Sequence, residues 1–157
     1  MQRIPFTKEG LEKLKNELDH LLKVERPKVI KAIEEARAHG DLSENAEYEA
    51  AKERQAFIET RIRELQDKIA RADVIDTSRL DTSKVVFGAT VRLFDALDGS
   101  EKVFKLVGPE EADVDNGRIS VTSPVGRALI GKRVGDEVIV KAPGRTLEYE
   151  VLEIRFD

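Results

Sequence analysis

The stretch "AHGDLSENAEYEAAKE", Ala38 to Glu53, decides how this chain folds. A glycine at 40 interrupts a helical segment, two acids follow at Asp41 and Glu44, and helix-forming residues then resume. Upstream of the break, Leu11, Leu14, Leu18 and Leu21 step by three, four and three, the seam of a coiled coil. Downstream, Ala51, Gln55, Ile58, Ile62, Leu65, Ile69 and Ala72 repeat that spacing, with Gln55 as the polar exception. Seams joined by so few residues must fold back on each other, so the spacing predicts an antiparallel helical hairpin over residues 1–76 with an acidic tip at 40–47. Arms of about 30 residues, at about 1.5 Å rise each, give a reach of roughly 45 Å.

The first helix carries its own start signals. Thr7 is the expected N-cap, and Phe6 and Leu11 are placed to form a hydrophobic staple around it. Gly10 stands where a capping box requires Glu or Gln, so that box is incomplete in the local sequence. Pro27 removes a backbone donor inside the pattern, which predicts a kink, with Val29, Ile30 and Ile33 continuing the apolar face beyond it.

After Asp76 the period changes. Residues 77–84 read as a polar linker, and a second domain is expected over 85–157. The runs "FGATVRLF", "EKVFKLV", "GRISVT", "DEVIVKA" and "RTLEYEVLEIRF" are rich in β-branched and aromatic residues and separated by the turn pairs Asp98-Gly99, Asn116-Gly117 and Pro143-Gly144. They predict a small antiparallel β-sheet. "SPVGRALIG" interrupts them with an N-cap at Ser123, a first-turn Pro124 and a terminator at Gly131, which predicts one short helix. The fold class is therefore α+β: a helical coiled-coil hairpin followed by a small sheet domain.

Composition narrows function. Of 157 residues, 27 are Lys or Arg and 31 Asp or Glu, a formal net charge of -4, which is not the footprint of an autonomous nucleic-acid binder. With no cysteine there is neither a disulfide framework nor a thiolate zinc site. The opening "MQRIPFTKEG" lacks the apolar run of a signal peptide and no stretch suits a bilayer span, so no membrane partner and a cytoplasmic location are expected.

Two explanations compete for Asp41 and Glu44. Asp-x-x-Glu at a helix start is close to a capping box, and both acids favour the positive end of the helix dipole. If Ser43 takes the cap instead, two carboxylates remain at the tip and suit a hard cation such as Mg²⁺, which takes one or two protein carboxylates and keeps its waters. Alone they bind it weakly, so a working site needs further ligands from a partner. His39 reads as a surface residue complementing the dipole, and Arg37, Lys52 and Arg54 as members of ordinary ion-pair ladders such as Glu49 with Lys52. Tyr48 is placed for partial packing or base stacking. "GRALIGKR" mimics a phosphate-binding loop, but Arg133 stands where a hydroxyl is required and the loop core is apolar.

"GDLSENAEYEAAKE", "IPFTKEGLEKLKNEL", "ADVID", "VVFGATVRL" and "SPVGRALIGKRVGDEVIVKAPG" closely resemble bacterial transcript cleavage factors of the GreA type, from Ile4 to Phe156. The resemblance implies a second domain with an FK506-binding-protein-like fold that docks at the mouth of the RNA polymerase secondary channel, with Ser123 and Pro124 in the docking segment. It implies that Asp41 and Glu44 help hold a Mg²⁺ ion jointly with the polymerase, stimulating cleavage of backtracked nascent RNA, and that Arg37 and Lys52 lie near the RNA 3′ end. On this basis the chain is not itself an enzyme and acts as a monomer. The few basic residues near the tip favour the GreA-like branch over GreB. The alternatives are a channel-occluding inhibitor, disfavoured by the intact Asp-Leu-Ser-Glu tip; a prolyl isomerase, disfavoured by the lack of tryptophan and few aromatics; and a passive coiled-coil adaptor.

Overall fold

The computed structural model describes residues 2–40, 45–76 and 82–156. The chain forms two compact units, Met1–Gln2 with Leu11–Ala72, and Arg3–Gly10 with Asp73–Asp157.

The first unit is the helical hairpin. One arm comprises α1 (Lys8–His20, entering this unit at Leu11), a π-helical turn (Leu21–Glu25) and α2 (Arg26–Arg37), and the other is α3 (Ala46–Ala70). Leu21, Val29, Ile58, Ile62 and Leu65 are buried between the arms, with Leu14, Leu18 and Leu22 packed against them. Ion pairs stitch the arms together. Glu17 receives Arg61 in a bidentate pair at 2.7 and 2.8 Å, Glu25 receives Arg54 at 2.7 Å, and Glu59 receives Arg26 at 2.7 Å. From the Glu17–Arg61 pair to the Glu25–Arg54 and Arg26–Glu59 pairs, the first-arm position rises while its partner lies earlier on the second arm, as antiparallel packing requires.

Pro27 acts differently from a simple kink. Lacking an N–H and crowding the carbonyl four residues back, it sits in the first turn of α2 directly after the π turn, where Arg26 N–H donates to Leu21 O. The wider turn absorbs an extra residue and rotates everything after it. Buried positions consequently run from Leu21 to Val29, Ile33 and Ala36, and Ile30, expected on the apolar face, is 43% exposed. The π turn also brings His20 to Glu25 at 3.2 Å, a spacing of five that a regular helix does not align.

The seam was expected to run to Ala72, but α3 ends at Ala70. Ala72–Val74 instead forms β2, paired with β1 (Ile4–Phe6). In the second unit Phe6 and Thr7 are buried, and Thr7 Oγ1 accepts the Gly10 amide at 3.0 Å, the expected N-cap. Its missing box partner comes from far along the chain: the Glu111 carboxylate accepts the Thr7 amide at 2.8 Å and the Thr7 hydroxyl at 2.5 Å. A Cβ at position 10 would overlap that carboxyl group, so glycine makes room for a capping carboxylate its own segment does not supply.

The remainder of this unit is a five-stranded sheet in the order β5-β4-β3-β7-β6. The strands are β3 (Thr90–Asp95), β4 (Glu101–Val107), β5 (Arg118–Ser120), β6 (Glu137–Ala142) and β7 (Arg145–Arg155). All pairs are antiparallel except β4 with β5, where the connection crosses over through two short 3-10 turns and returns the chain in the same direction. One face is buried by the alternation of Val138 and Val140 on β6 and of Leu147, Tyr149 and Val151 on β7. The parity then slips to Ile154, because the register of β3 against β7 shifts between Arg92 and Leu93. A short helix, α4 (Pro124–Leu129), packs on β6 and contributes Leu129 to the core.

Candidate functional site

The end of the hairpin is built from the last turn of α2 and the first turn of α3. Amide bonds from Ala38 to Glu34 O, His39 to Ala36 O and Gly40 to Arg37 O, each 3.2 Å, close α2. Gly40 then turns the chain at φ +95°, a conformation that excludes most side chains. Asp41, Ser43 and Glu44 lie outside the described residues.

Capping of α3 is supplied by Asn45. Asn45 has extended backbone angles and its Oδ1 accepts the Tyr48 amide at 3.1 Å. Its Nδ2 donates to Ala36 O on the opposite arm at 2.7 Å. The signal was present in the sequence, since asparagine caps as well as aspartate or serine and here directly precedes the helix-forming run. Position 48, where a capping box would put Glu, holds Tyr48.

Around this clasp the charged side chains engage one another across the turn. His39 Nδ1 lies 3.3 Å from Glu47 Oε2, and the Arg37 guanidinium stands 6.0 Å from the Tyr48 ring centroid, a cation–π distance. Lys52 donates to Gln55 at 3.2 Å, not to Glu49 as the charge pattern suggested. Arg37 and Lys52, from opposite arms, line one shallow groove of about 170 Å³ with Ile30, Ile33, Glu34 and Gln55. Further from the tip, Arg61 holds the Glu17 carboxyl below its ordinary range, and Arg54, aided by His20, does the same to Glu25.

Ser123 caps α4 as expected, accepting the Gly126 amide at 3.1 Å while donating to Ser120 O at 2.6 Å, and Pro124 is exposed in the first turn. The phosphate-loop mimic has no cradle, for Gly131 N–H donates to Val85 O and Lys132 O accepts the Val85 amide. On the sheet, a cavity of about 330 Å³ beside Phe94, Ile139 and Tyr149 is rimmed by Glu137, Glu148 and Glu150, a chemistry unlike the apolar aromatic pocket an isomerase requires. Among the described residues no three His, Cys, Asp or Glu side chains gather into a metal-binding group, and no helix is long and apolar enough to cross a membrane.

Comparison with known proteins covers nearly the whole chain. Residues 4–74 match the family described as "Transcription elongation factor, N-terminal", and residues 80–156 match "Transcription elongation factor, GreA/GreB, C-term". The chain is 64% identical over 155 residues to the transcription elongation factor GreA of Thermodesulfovibrio yellowstonii, covering 99% of this chain and 98% of that protein. It is 59% identical, with the same coverage, to the protein of that name from Syntrophotalea carbinolica. Among solved structures, it is similar at 32% identity to GreA factor homolog 1 (Gfh1) of Thermus thermophilus, over 98% of this chain and 99% of that one, with a TM-score of 0.46.

Proposed function

The chain belongs to the GreA/GreB family of transcription elongation factors, and on that premise we propose that it inserts its hairpin tip into the RNA polymerase secondary channel to stimulate cleavage of backtracked nascent RNA. It acts in the cytoplasm as a monomer and lends ligands to the polymerase active centre; it is not an independent nuclease. Asp41 and Glu44 are the residues that carry the chemistry. The observation that most supports this role is the Asn45 cap, which supplies the side-chain acceptor at the start of α3.

Two carboxylates form an all-oxygen donor set, which fits Mg²⁺ and falls short of a complete coordination shell, so the ion is held jointly with ligands of the polymerase. When bound, this Mg²⁺ would be one of two ions in phosphodiester hydrolysis, the other held by the polymerase's own carboxylates, one activating the attacking water and the other stabilising the departing oxygen. Arg37 and Lys52 face one groove from opposite arms and contribute positive charge beside the RNA 3′ end. Ser123 and Pro124, on the segment that opens α4, belong to the surface of the sheet domain (85–157) that docks on the polymerase. The polar segment 77–84 links the two domains.

The test follows 3′-end-labelled RNA in a backtracked bacterial elongation complex with Mg²⁺. Wild type is expected to release short 3′ fragments, and Asp41→Asn to bind the polymerase without releasing them. If both proteins bind and neither shortens the RNA, the cleavage role is overturned in favour of passive channel occupancy.

A further inference from the structure

Asn45 does more than a helix start requires. An N-cap needs only an acceptor, and Ser, Thr or Asp would provide it. Here the same side chain also donates to the opposite arm, at 2.7 Å to Ala36 O, while its oxygen holds the Tyr48 amide at 3.1 Å. One partner is a carbonyl and the other an N–H, so a single orientation of the amide satisfies both. Ala36 is 2% exposed, and its carbonyl also accepts the His39 amide at 3.2 Å. The bond therefore joins the last turn of α2 to the first turn of α3 at a shielded point. Tyr48, whose amide is held, is in turn the ring on which the Arg37 guanidinium rests. Asparagine is the side chain that combines a good cap acceptor with a donor at this reach: aspartate lacks the donor and serine lacks the length.

We propose that Asn45 is a positioning residue for the hairpin end: its paired bonds lock the last turn of α2 to the first turn of α3, and transcript cleavage depends on that lock. This role rests on the elongation-factor function proposed above. A displacement of about 1 Å in a catalytic arrangement costs on the order of a hundredfold in rate, so a clasp of this kind matters to cleavage far more than to folding.

Asn45→Ser and Asn45→Asp separate the two bonds, since each keeps a cap acceptor and loses the donor to Ala36 O. In the free full-length protein, amide exchange at His39 and Gly40, followed by NMR, is expected to quicken roughly fivefold in both variants while thermal unfolding stays close to wild type. In the backtracked complex both variants are expected to bind polymerase normally, to cleave at least about tenfold more slowly, and to need several-fold more Mg²⁺ for half-maximal cleavage. Wild-type exchange and cleavage in Asn45→Ser would reduce Asn45 to a helix cap and overturn the proposal. If wild type itself fails to cleave, the elongation-factor function falls, and the role of Asn45 falls with it.

Discussion

The hairpin and the sheet unit stabilise themselves by different means. In the hairpin, a narrow seam of Leu21, Val29, Ile58, Ile62 and Leu65 is flanked by half-exposed ion pairs from Glu17, Glu25 and Glu59. In the sheet unit, two layers enclose a broad core drawn from five strands and α4, together with a helix cap closed by a residue distant in sequence. The first arrangement is short-range and repetitive; the second depends on chain segments that meet only when folded. The lesson is that one narrow seam tolerates loss poorly, while a closed tertiary contact concentrates its energy in a few atoms.

Core truncation gives the largest effect. Ile62→Ala and Leu93→Ala each remove a fully buried side chain and are expected to cost about 2–5 kcal/mol. Because the seam is narrow, Ile62→Ala should abolish much of the helical circular dichroism at moderate temperature, while Leu93→Ala should shift the sheet transition and leave that signal. Equal behaviour of both signals in both variants would break the contrast between the units.

The Thr7–Glu111 cap is next. Glu111→Ala strips a buried amide and hydroxyl of a charged acceptor, with an expected loss of about 1–3 kcal/mol in urea unfolding. Gly10→Ala should destabilise by displacing the same carboxylate, and its cost should shrink in the Glu111→Ala background, since both changes break one contact. Fully additive costs would show that Gly10 serves another purpose. Ser123→Ala removes a wholly local cap and is expected to cost about 1 kcal/mol.

The smallest effect is the acid response of the hairpin. Arg61 depresses Glu17, so the contribution of this pair is complete above the ordinary carboxylate value of 4.5 and is lost as pH falls through the lower folded value. Helical signal should therefore weaken on acidification below that point, and Glu17→Gln should flatten this part of the curve. Because the pair is partly solvated, added salt should reduce the difference.

Much of this architecture was legible because it depends on short-range rules. The spacing of Leu11 to Leu21 and of Ala51 to Leu65 implied two seams, and Gly40 between them implied a reversal. Ser123, Pro124 and Gly131 bracket a helix whose cap, first turn and end all lie within one segment. The strands beyond the linker followed from β-branched runs between turn pairs. Less was legible at the tip. The cap of α3 is Asn45, and its second bond, to the opposite arm, has no counterpart in any local pattern. Ile30 turned outward because the response to Pro27 was a π turn, whose extra residue changes the phase of every position after it.

The sequence by itself determined the helical hairpin, the sheet domain and the short α4, because periodicity, capping and turn chemistry act over a few neighbouring residues. Tertiary structure alone decided the pairing of β1 with β2, the parallel entry of β5, and the bond of Asn45 across the arms. It also decided that the carboxylate missing from the first capping box would come from Glu111, whose partner Thr7 lies 104 positions away. A hydrogen bond records only distance and direction, and a linear pattern carries neither for atoms so far apart along the chain.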